Sequence, residues 1–421
     1  MLDKLARLVT AFLIILFHNS CVVQSQDIPM FFKGSEVLDN PYGVCAHVDL
    51  EGFDGQYIDK EFRMLKTMGI NNVRVDFRWS IIRNTLDQKI EKYDHLDLVM
   101  KKARQYDINI LPILGYTLND GTKPWLEKTA WASYLKSIHG RYGSLIHYWE
   151  LWNEQNLQQV SPIDYCQLAV QTKTQLGLLN PGDKLLFGGL GGIDIDYLNS
   201  LVKQDSNVFS NFHIMNLHYY VHDGGPEWLI EQVFPKLQKF MSDTNISDMS
   251  VWMTETGNST YNLKRGWPKR DYACSEEEQA EWLARDILIC LAAGMDKVYY
   301  YQLRAYEKDS VGGENHFGLL HKDLDPKPAL AAYKQLIKMC PSGSKRPTLK
   351  RKGEVYVCSW ETSLGSPVTA FWTRKESVPI KLKAGKGSRC YDLYGKKIKL
   401  RKVRMASSQL YYVVGNVVVE N

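Results

Sequence analysis

From Tyr42 onward, short apolar runs rich in β-branched and aromatic residues alternate with longer stretches whose apolar residues recur every three or four positions. The first pattern suits a buried strand and the second an amphipathic helix. Eight strand-like runs can be read: YGVCAHV, NVRVDFRW, INILPILGY, LIHYWELWNE, KLLFGGLGG, IMNLHYY, MSVWMTETG and KVYYYQL. Between them lie helical stretches such as DKEFRMLKTMG, DYCQLAVQTKTQLGLLN and EEEQAEWLARDILICLAAG, several closed by glycine as a helix end prefers. Eight such units in about 300 residues predict a closed parallel α/β barrel, the TIM (β/α)8 architecture. An open doubly wound sheet is the alternative, and it loses because no G-x-G-x-x-G turn follows the first strand. After LDPKPALAAYKQLIKMC the texture changes at PSGSKRP to short alternating runs, which predict a small C-terminal all-β, sandwich-like domain. The expected division is a signal peptide over 1–25, a barrel over 26–341 and a β domain over 342–421.

The longest apolar run, LVTAFLIILF, follows Lys4 and Arg7 and gives way to polar residues at His18, which fits a secretory signal cleaved near Ser25. Beyond it no stretch of about 18 apolar residues occurs, so no membrane insertion is expected. Cys21 could carry a lipid anchor, but His18-Asn19-Ser20 before it matches a lipoprotein signal poorly. The expected location is outside the cell. The formal charge of +5 hides an asymmetry, because the segment from Ser342 onward holds 17 Lys and Arg against 5 Asp and Glu. A basic tail either balances an acidic barrel or attracts an anionic polymer or surface. Nucleic acid is not an expected partner, since no recognised binding motif is present. Seven cysteines follow the signal; Cys358 and Cys390 could pair within the tail, whereas Cys45 and Cys290 sit in apolar runs as buried thiols. No C-x-x-C or similar metal spacing occurs, and no cofactor or metal is expected. Asn245-Ile246-Ser247 and Asn258-Ser259-Thr260 match the glycosylation acceptor pattern.

Barrels of this kind carry their chemistry at the carboxyl ends of the strands. Two strands close on glutamate: the fourth as HYWELWNEQN, with Asn153 and Glu154, and the seventh as VWMTETGN, with Glu255. A carboxylate ending an apolar strand costs free energy unless it is paired or functional. Two glutamates facing each other across a cleft are what glycosidic cleavage needs, one protonated for the departing oxygen and one ionised at the anomeric carbon. Asn153 is then placed to hydrogen-bond a sugar hydroxyl. His47, at the end of the first strand, is a candidate for the same task or for the core. Glu150, two pleats below Glu154 on the same face, reads as a buried partner for an arginine. Trp125, Trp228 and Trp267 fall in expected loops, where exposed indoles could stack on sugar rings, although packing is the plainer reading of each alone. The loop NLKRGWPKRD is basic, which makes anionic sugars conceivable, though a solvated loop is the plainer reading.

WNE closing the fourth strand, with W-M-T-E-T-G closing the seventh, resembles the barrel glycoside hydrolases of clan A, and within it family 39 and its cellulase-like relatives. The resemblance runs from about Tyr42 to Cys340 and includes HFGLLHKDLDPKPALAAY near the eighth strand. It implies a retaining double displacement with Glu154 as acid/base and Glu255 as nucleophile. It also implies roles for His218 and Tyr220 in the H-x-Y at the end of the sixth strand, with Tyr220 bonded to the nucleophile, and for Arg74 as the fixed positive charge that keeps Glu255 ionised. One departure stands out. Many relatives end the eighth strand with a tryptophan that floors the first sugar site, whereas this chain has Tyr299-Tyr300-Tyr301-Gln302, which brings Gln302 among the substrate-binding candidates.

Two rivals remain open. One is a barrel that binds carbohydrate without cutting it. The other is a metal-dependent hydrolase, for which His47, Asp49, His218 and His222 form a thin ligand set. The reading carried forward is an exported, cofactor-free, retaining glycosidase acting on oligo- or polysaccharide.

Overall fold

The eight runs become eight parallel strands because each is buried along most of its length and needs cover on both faces. A computed structural model of the chain describes residues 25–49, 55–88, 91–158, 160–220, 224–261, 274–306, 313–374, 377–403 and 405–420. The strands are β1 (Tyr42–Cys45), β2 (Asn72–Arg78), β3 (Asn109–Gly115), β4 (Tyr148–Leu151), β5 (Lys184–Leu186, resuming at Leu190–Gly191), β6 (Ile214–His218), β7 (Ser250–Thr256) and β8 (Lys297–Tyr300). Each pairs in parallel with its sequence neighbours; β8 returns to β1 through Val298 and Tyr42, and β5 meets β6 at Leu186 and Ile214. The result is a closed TIM barrel.

A helix follows each strand, from Gly55–Met68 after β1 to Pro328–Met339 after β8. Local chemistry sets their ends. Ser161 caps Pro162–Leu179 by accepting from the Asp164 amide, and Ser275 forms a capping box with Glu278 at the start of Glu276–Ala292. Asp107, at φ 56°, ends Asp94–Tyr106 in the left-handed conformation.

The C-terminal segment forms an antiparallel sheet, whose edge strand comes from the other end of the chain. Ser25–Ile28 pairs with Thr348–Lys352, which continues through Val355–Glu361, Pro367–Thr373 and Tyr411–Val414 to Arg389–Tyr391 and Lys397–Ile398. Two short ladders, Val378–Pro379 with Met405–Ala406 and Lys381–Ala384 with Val417–Glu420, stand apart from it. Period-two alternation divides the sheet's faces. Tyr356, Cys358, Trp360, Ala370, Trp372 and Tyr412 join the barrel's core, whereas Val355, Val357, Phe371, Cys390 and Val413 build a separate one.

That division rules out the possible Cys358–Cys390 pair. The two thiols lie on opposite faces, on strands separated by two others, so roughly 14 Å of sheet intervenes at ~4.8 Å per strand. All seven described cysteines are free and buried, as expected for Cys45 and Cys290. Three of the tail's cations pair with acids outside it: Arg346 with Asp296 at 2.6 Å, Arg374 with Glu231 at 3.0 Å and Lys350 with Asp27 at 3.0 Å. Asn258 is fully buried, which removes it as a glycosylation acceptor in the folded chain, while Asn245 is exposed. Among the described residues no helix is long and apolar enough to cross a membrane. The apolar leader, Cys21, His222 and Trp267 lie outside the described residues.

Candidate active site

The site begins with an arginine that cannot stay buried alone. Arg74, in the middle of β2, is almost wholly enclosed and spends its donors on β4, the turn that follows it, and β7. Its Nε and Nη2 donate to the two oxygens of Glu150 on β4, at 2.7 and 2.9 Å; Nη2 also donates to Asn153 Oδ1 at 2.8 Å; Nη1 donates to Glu255 Oε1 at 2.5 Å. Burial opposes the guanidinium's charge, but the flanking carboxylates outweigh it and hold its pKa well above the ordinary value. Glu150 is thus the buried arginine partner that its position on the strand suggests.

Glu255, on β7, is almost fully enclosed and held at both oxygens, by Arg74 at Oε1 and by the Tyr220 hydroxyl at Oε2. The tyrosine stands two residues beyond the end of β6. Burial and the adjacent Glu255 push its pKa well up, so it stays a hydrogen-bond donor. Beneath β7, Thr256 Oγ1 donates to the buried Asp286 at 2.5 Å, and burial raises that carboxyl to about 7.

Glu154 is set differently. At the end of β4 the backbone turns left-handed at Trp152 (φ 71°) and Glu154 (φ 47°), a conformation that costs of order 1–3 kcal/mol per non-glycine residue. The Trp152 amide, donating to Leu114 O at 2.8 Å, and the Glu154 amide, donating to Gly189 O at 2.9 Å, hold the turn. The turn swings the Glu154 carboxyl off the strand axis and toward β6, with 23 % of its side chain exposed. There His218 Nδ1 lies 3.2 Å from Glu154 Oε1 and 3.6 Å from Glu255 Oε2, while its Nε2 lies 3.0 Å from Thr254 Oγ1. Burial pushes the Glu154 pKa up, but the hydrogen bond and charge of His218 pull harder, and the net shift is downward. One carboxylate oxygen of each glutamate and one nitrogen of His218 fall within 4.8 Å of one another.

Five of the sequence-derived candidates therefore converge with Glu154: Arg74, Asn153, His218, Tyr220 and Glu255. Because Arg74 has only donors, Asn153 must turn its carbonyl toward it, leaving the amide NH2 for the cleft. His47 borders the group, its ring beside Tyr301 at 5.7 Å and Tyr306 at 5.1 Å, and burial lowers its pKa. Gln302 is 1 % exposed and lines, with His47, Glu61 and Arg304, a recess of about 210 Å³. Trp125 needs correction as an open platform: it is 5 % exposed and packed against Trp152 at 5.7 Å, because the left-handed turn lays the Trp152 ring beneath that loop. Trp228 is exposed as expected.

Residues missed in the sequence complete the site. Tyr301 sits edge-on to Tyr220 at 5.9 Å and to Phe317 at 5.6 Å, where the departure from tryptophan had left the floor unassigned. Asn216 and Thr254 tie Glu150 to His218 through bonds of 2.9 to 3.4 Å. A Cβ at Gly189 would run into the His218 ring, which explains one glycine of the FGGLGG run. Among the described residues, two triads have donors for a cation, Glu154-His218-Glu255 and His47-Asp49-Asp76. In each, an arginine already meets a carboxylate, Arg74 at Glu255 and Arg78 at Asp76 (3.0 Å).

No family model and no curated protein sequence matches the chain. Solved structures do. A family 39 glycoside hydrolase from the gut symbiont Bacteroides cellulosilyticus WH2 superposes with a TM-score of 0.74 at 21% identity, over 90% of this chain and 81% of that one. A GH30 endoxylanase from Clostridium papyrosolvens C71 gives 0.61 at 12% identity, over 91% and 98%. A glucosidase from Croceicoccus marinus gives 0.63 at 8% identity, over 93% and 98%. Across nearly its whole length, the chain shares the fold of barrel glycoside hydrolases, families 39 and 30 among them.

Proposed function

We propose that the chain is an exported glycoside hydrolase that cleaves oligo- or polysaccharide with retention, Glu255 serving as nucleophile and Glu154 as acid/base. The observation that carries this reading is the approach of the two carboxylates within 4.8 Å around His218, one clamped and the other free to exchange a proton. Carboxylates that approach each other through one oxygen apiece are compatible with a retaining pair, for which about 5–5.5 Å between carboxyl groups is expected.

In the first step Glu255 attacks the anomeric carbon, the glycosidic bond breaks and Glu154 gives its proton to the departing oxygen. In the second, Glu154 takes a proton from water, which displaces Glu255. Glu255 loses its charge when it forms the covalent ester. Arg74 does not become a bare buried cation at that moment, because Glu150 remains paired with it. The Asn153 amide is positioned for a hydroxyl next to the reacting carbon, and Tyr301 for the sugar's face. Export rests on the apolar leader, and the clan A resemblance of the motifs agrees with the fold of the structural neighbours.

The test is product stereochemistry. Proton NMR during cleavage of a glycan panel should show the substrate's own anomer first; the opposite anomer would exclude double displacement. Absence of cleavage across the panel would favour a binding barrel.

A further inference from the structure

We propose that the C-terminal sheet is part of the catalytic frame: through Trp372 and Arg374 it holds the loop after β6 and so keeps Tyr220 against Glu255. This deepens the glycosidase reading and rests on it.

The loop cannot set its own shape. Its run Gly224-Gly225-Pro226 favours neither strand nor helix, and both glycines take positive φ, 110° and 88°. Neither has room for a side chain. A Cβ on Gly224 would stand 2.7 Å from an Arg374 nitrogen, and one on Gly225 would stand 2.7 Å from an Arg285 nitrogen. The backbone is thus moulded against two arginines, one from the C-terminal sheet and one from the barrel helix Glu276–Ala292.

The sheet contributes directed polar bonds as well as bulk. Arg374, which follows the strand Pro367–Thr373, donates from Nε to Gly224 O and from Nη1 to Glu231 Oε2 at 3.0 Å. Trp372 Nε1 donates to Glu227 Oε1 at 2.7 Å. Glu227 is fully buried, and Arg285 grips it at Oε1 (2.9 Å) and Oε2 (2.5 Å). A buried ion pair is a poor way to attach a sheet, since apolar packing does as well or better. Tyr356, Trp360 and Tyr412 already supply that packing on the barrel's core. What the polar bonds add is a fixed position for one carbonyl and one carboxylate of the loop.

At its other end the same loop carries chemistry. The Tyr219 amide donates to Glu255 O at 3.1 Å, and the Tyr220 hydroxyl donates to Glu255 Oε2. Tyr220 is the fourth residue before Gly224, so slack at Gly224 is passed on to the hydroxyl. A second route stays inside the barrel. Arg285 precedes Asp286, which accepts from Thr256 Oγ1, the neighbour of Glu255. Trp372 and Arg374 touch neither glutamate; they are positioning residues that act through the loop.

The test is a double-mutant cycle on kcat, using an oligosaccharide that the wild type cleaves, below the onset of unfolding of every variant. Arg374→Met keeps the alkyl stem and removes both bonds to the loop. It should lower kcat roughly 10-fold, the scale of a small misplacement at a reacting group, with KM nearly unchanged. In the Tyr220→Phe background the same substitution should cost less than about twofold, because the bond it loosens is already gone. Trp372→Phe, which keeps a ring beside Tyr356 and removes the donor to Glu227, should show the same pattern. Equal losses in the two backgrounds, an unchanged kcat in both variants, or a loss confined to KM would overturn the proposal. A wild type inert toward every glycoside would instead remove the glycosidase reading, and the positioning role with it.

Discussion

The walls built by β7 and by β4 present the same functional group under opposite mechanical and electrostatic conditions. Glu255 is enclosed, bonded at both oxygens and backed by the Thr256–Asp286 pair. Glu154 rests on a left-handed turn, is bonded to one histidine nitrogen and keeps part of its side chain in solvent. Immobility suits a group that must stay ionised and aimed, whereas partial exposure suits one that must load and release protons in each turnover. The difference also shows which carboxylate can tolerate change around it. Glu255 depends on neighbours fixed in the core, and Glu154 on a turn and one ring.

The largest effect should come from the shared arginine. Arg74→Met leaves Glu150 buried without its cation, which costs about 3–5 kcal/mol of stability, and it frees Glu255 as well. Adding Glu150→Gln should recover much of the stability, as read by denaturant unfolding, without recovering turnover. Recovery of both would mean that Arg74 serves the fold alone. Next, Tyr220→Phe removes one hydrogen bond to an ionised group, worth about 1.5–3 kcal/mol, so turnover should fall roughly 10- to 100-fold with the melting temperature nearly unchanged. A loss confined to KM would place Tyr220 against the sugar instead.

The smallest effect concerns the proton. With its pKa lowered by His218, Glu154 loses its acid form as pH rises through that depressed value, so cleavage of sugar leaving groups should decline early on the alkaline side. Removing the ring as His218→Asn lets burial dominate, and the alkaline limb should move up. Glycosyl fluorides, which need no acid, should show no such movement. A downward shift, or one shared by the fluorides, would contradict the link between the two residues.

Much of this contrast can be read in the chain, and its limits are physical. The strands are legible because each is a short run rich in apolar, β-branched and aromatic residues, and the two glutamates because each closes such a run. Glu150 is legible through the period of the pleat. The interruption of β5 is not: FGGLGG announces glycines, but only the His218 ring shows why Gly189 must be bare. Trp125 reads as an open loop residue because nothing local reveals the Trp152 ring packed beside it. The edge strand Ser25–Ile28 is equally hidden, since its partner lies at the other end of the sequence. Cys358 and Cys390 show the same failure, as distance along the chain says nothing about which face of a sheet a thiol takes.

The assignment of roles is tested most directly by trapping the second step with azide. With an activated glycoside, Glu154→Ala should form its covalent intermediate and be rescued by azide to a glycosyl azide of the substrate's configuration. Glu255→Ala under the same conditions should give the opposite configuration, because azide then enters from the vacated nucleophile's side. The reverse pattern of configurations would contradict the account.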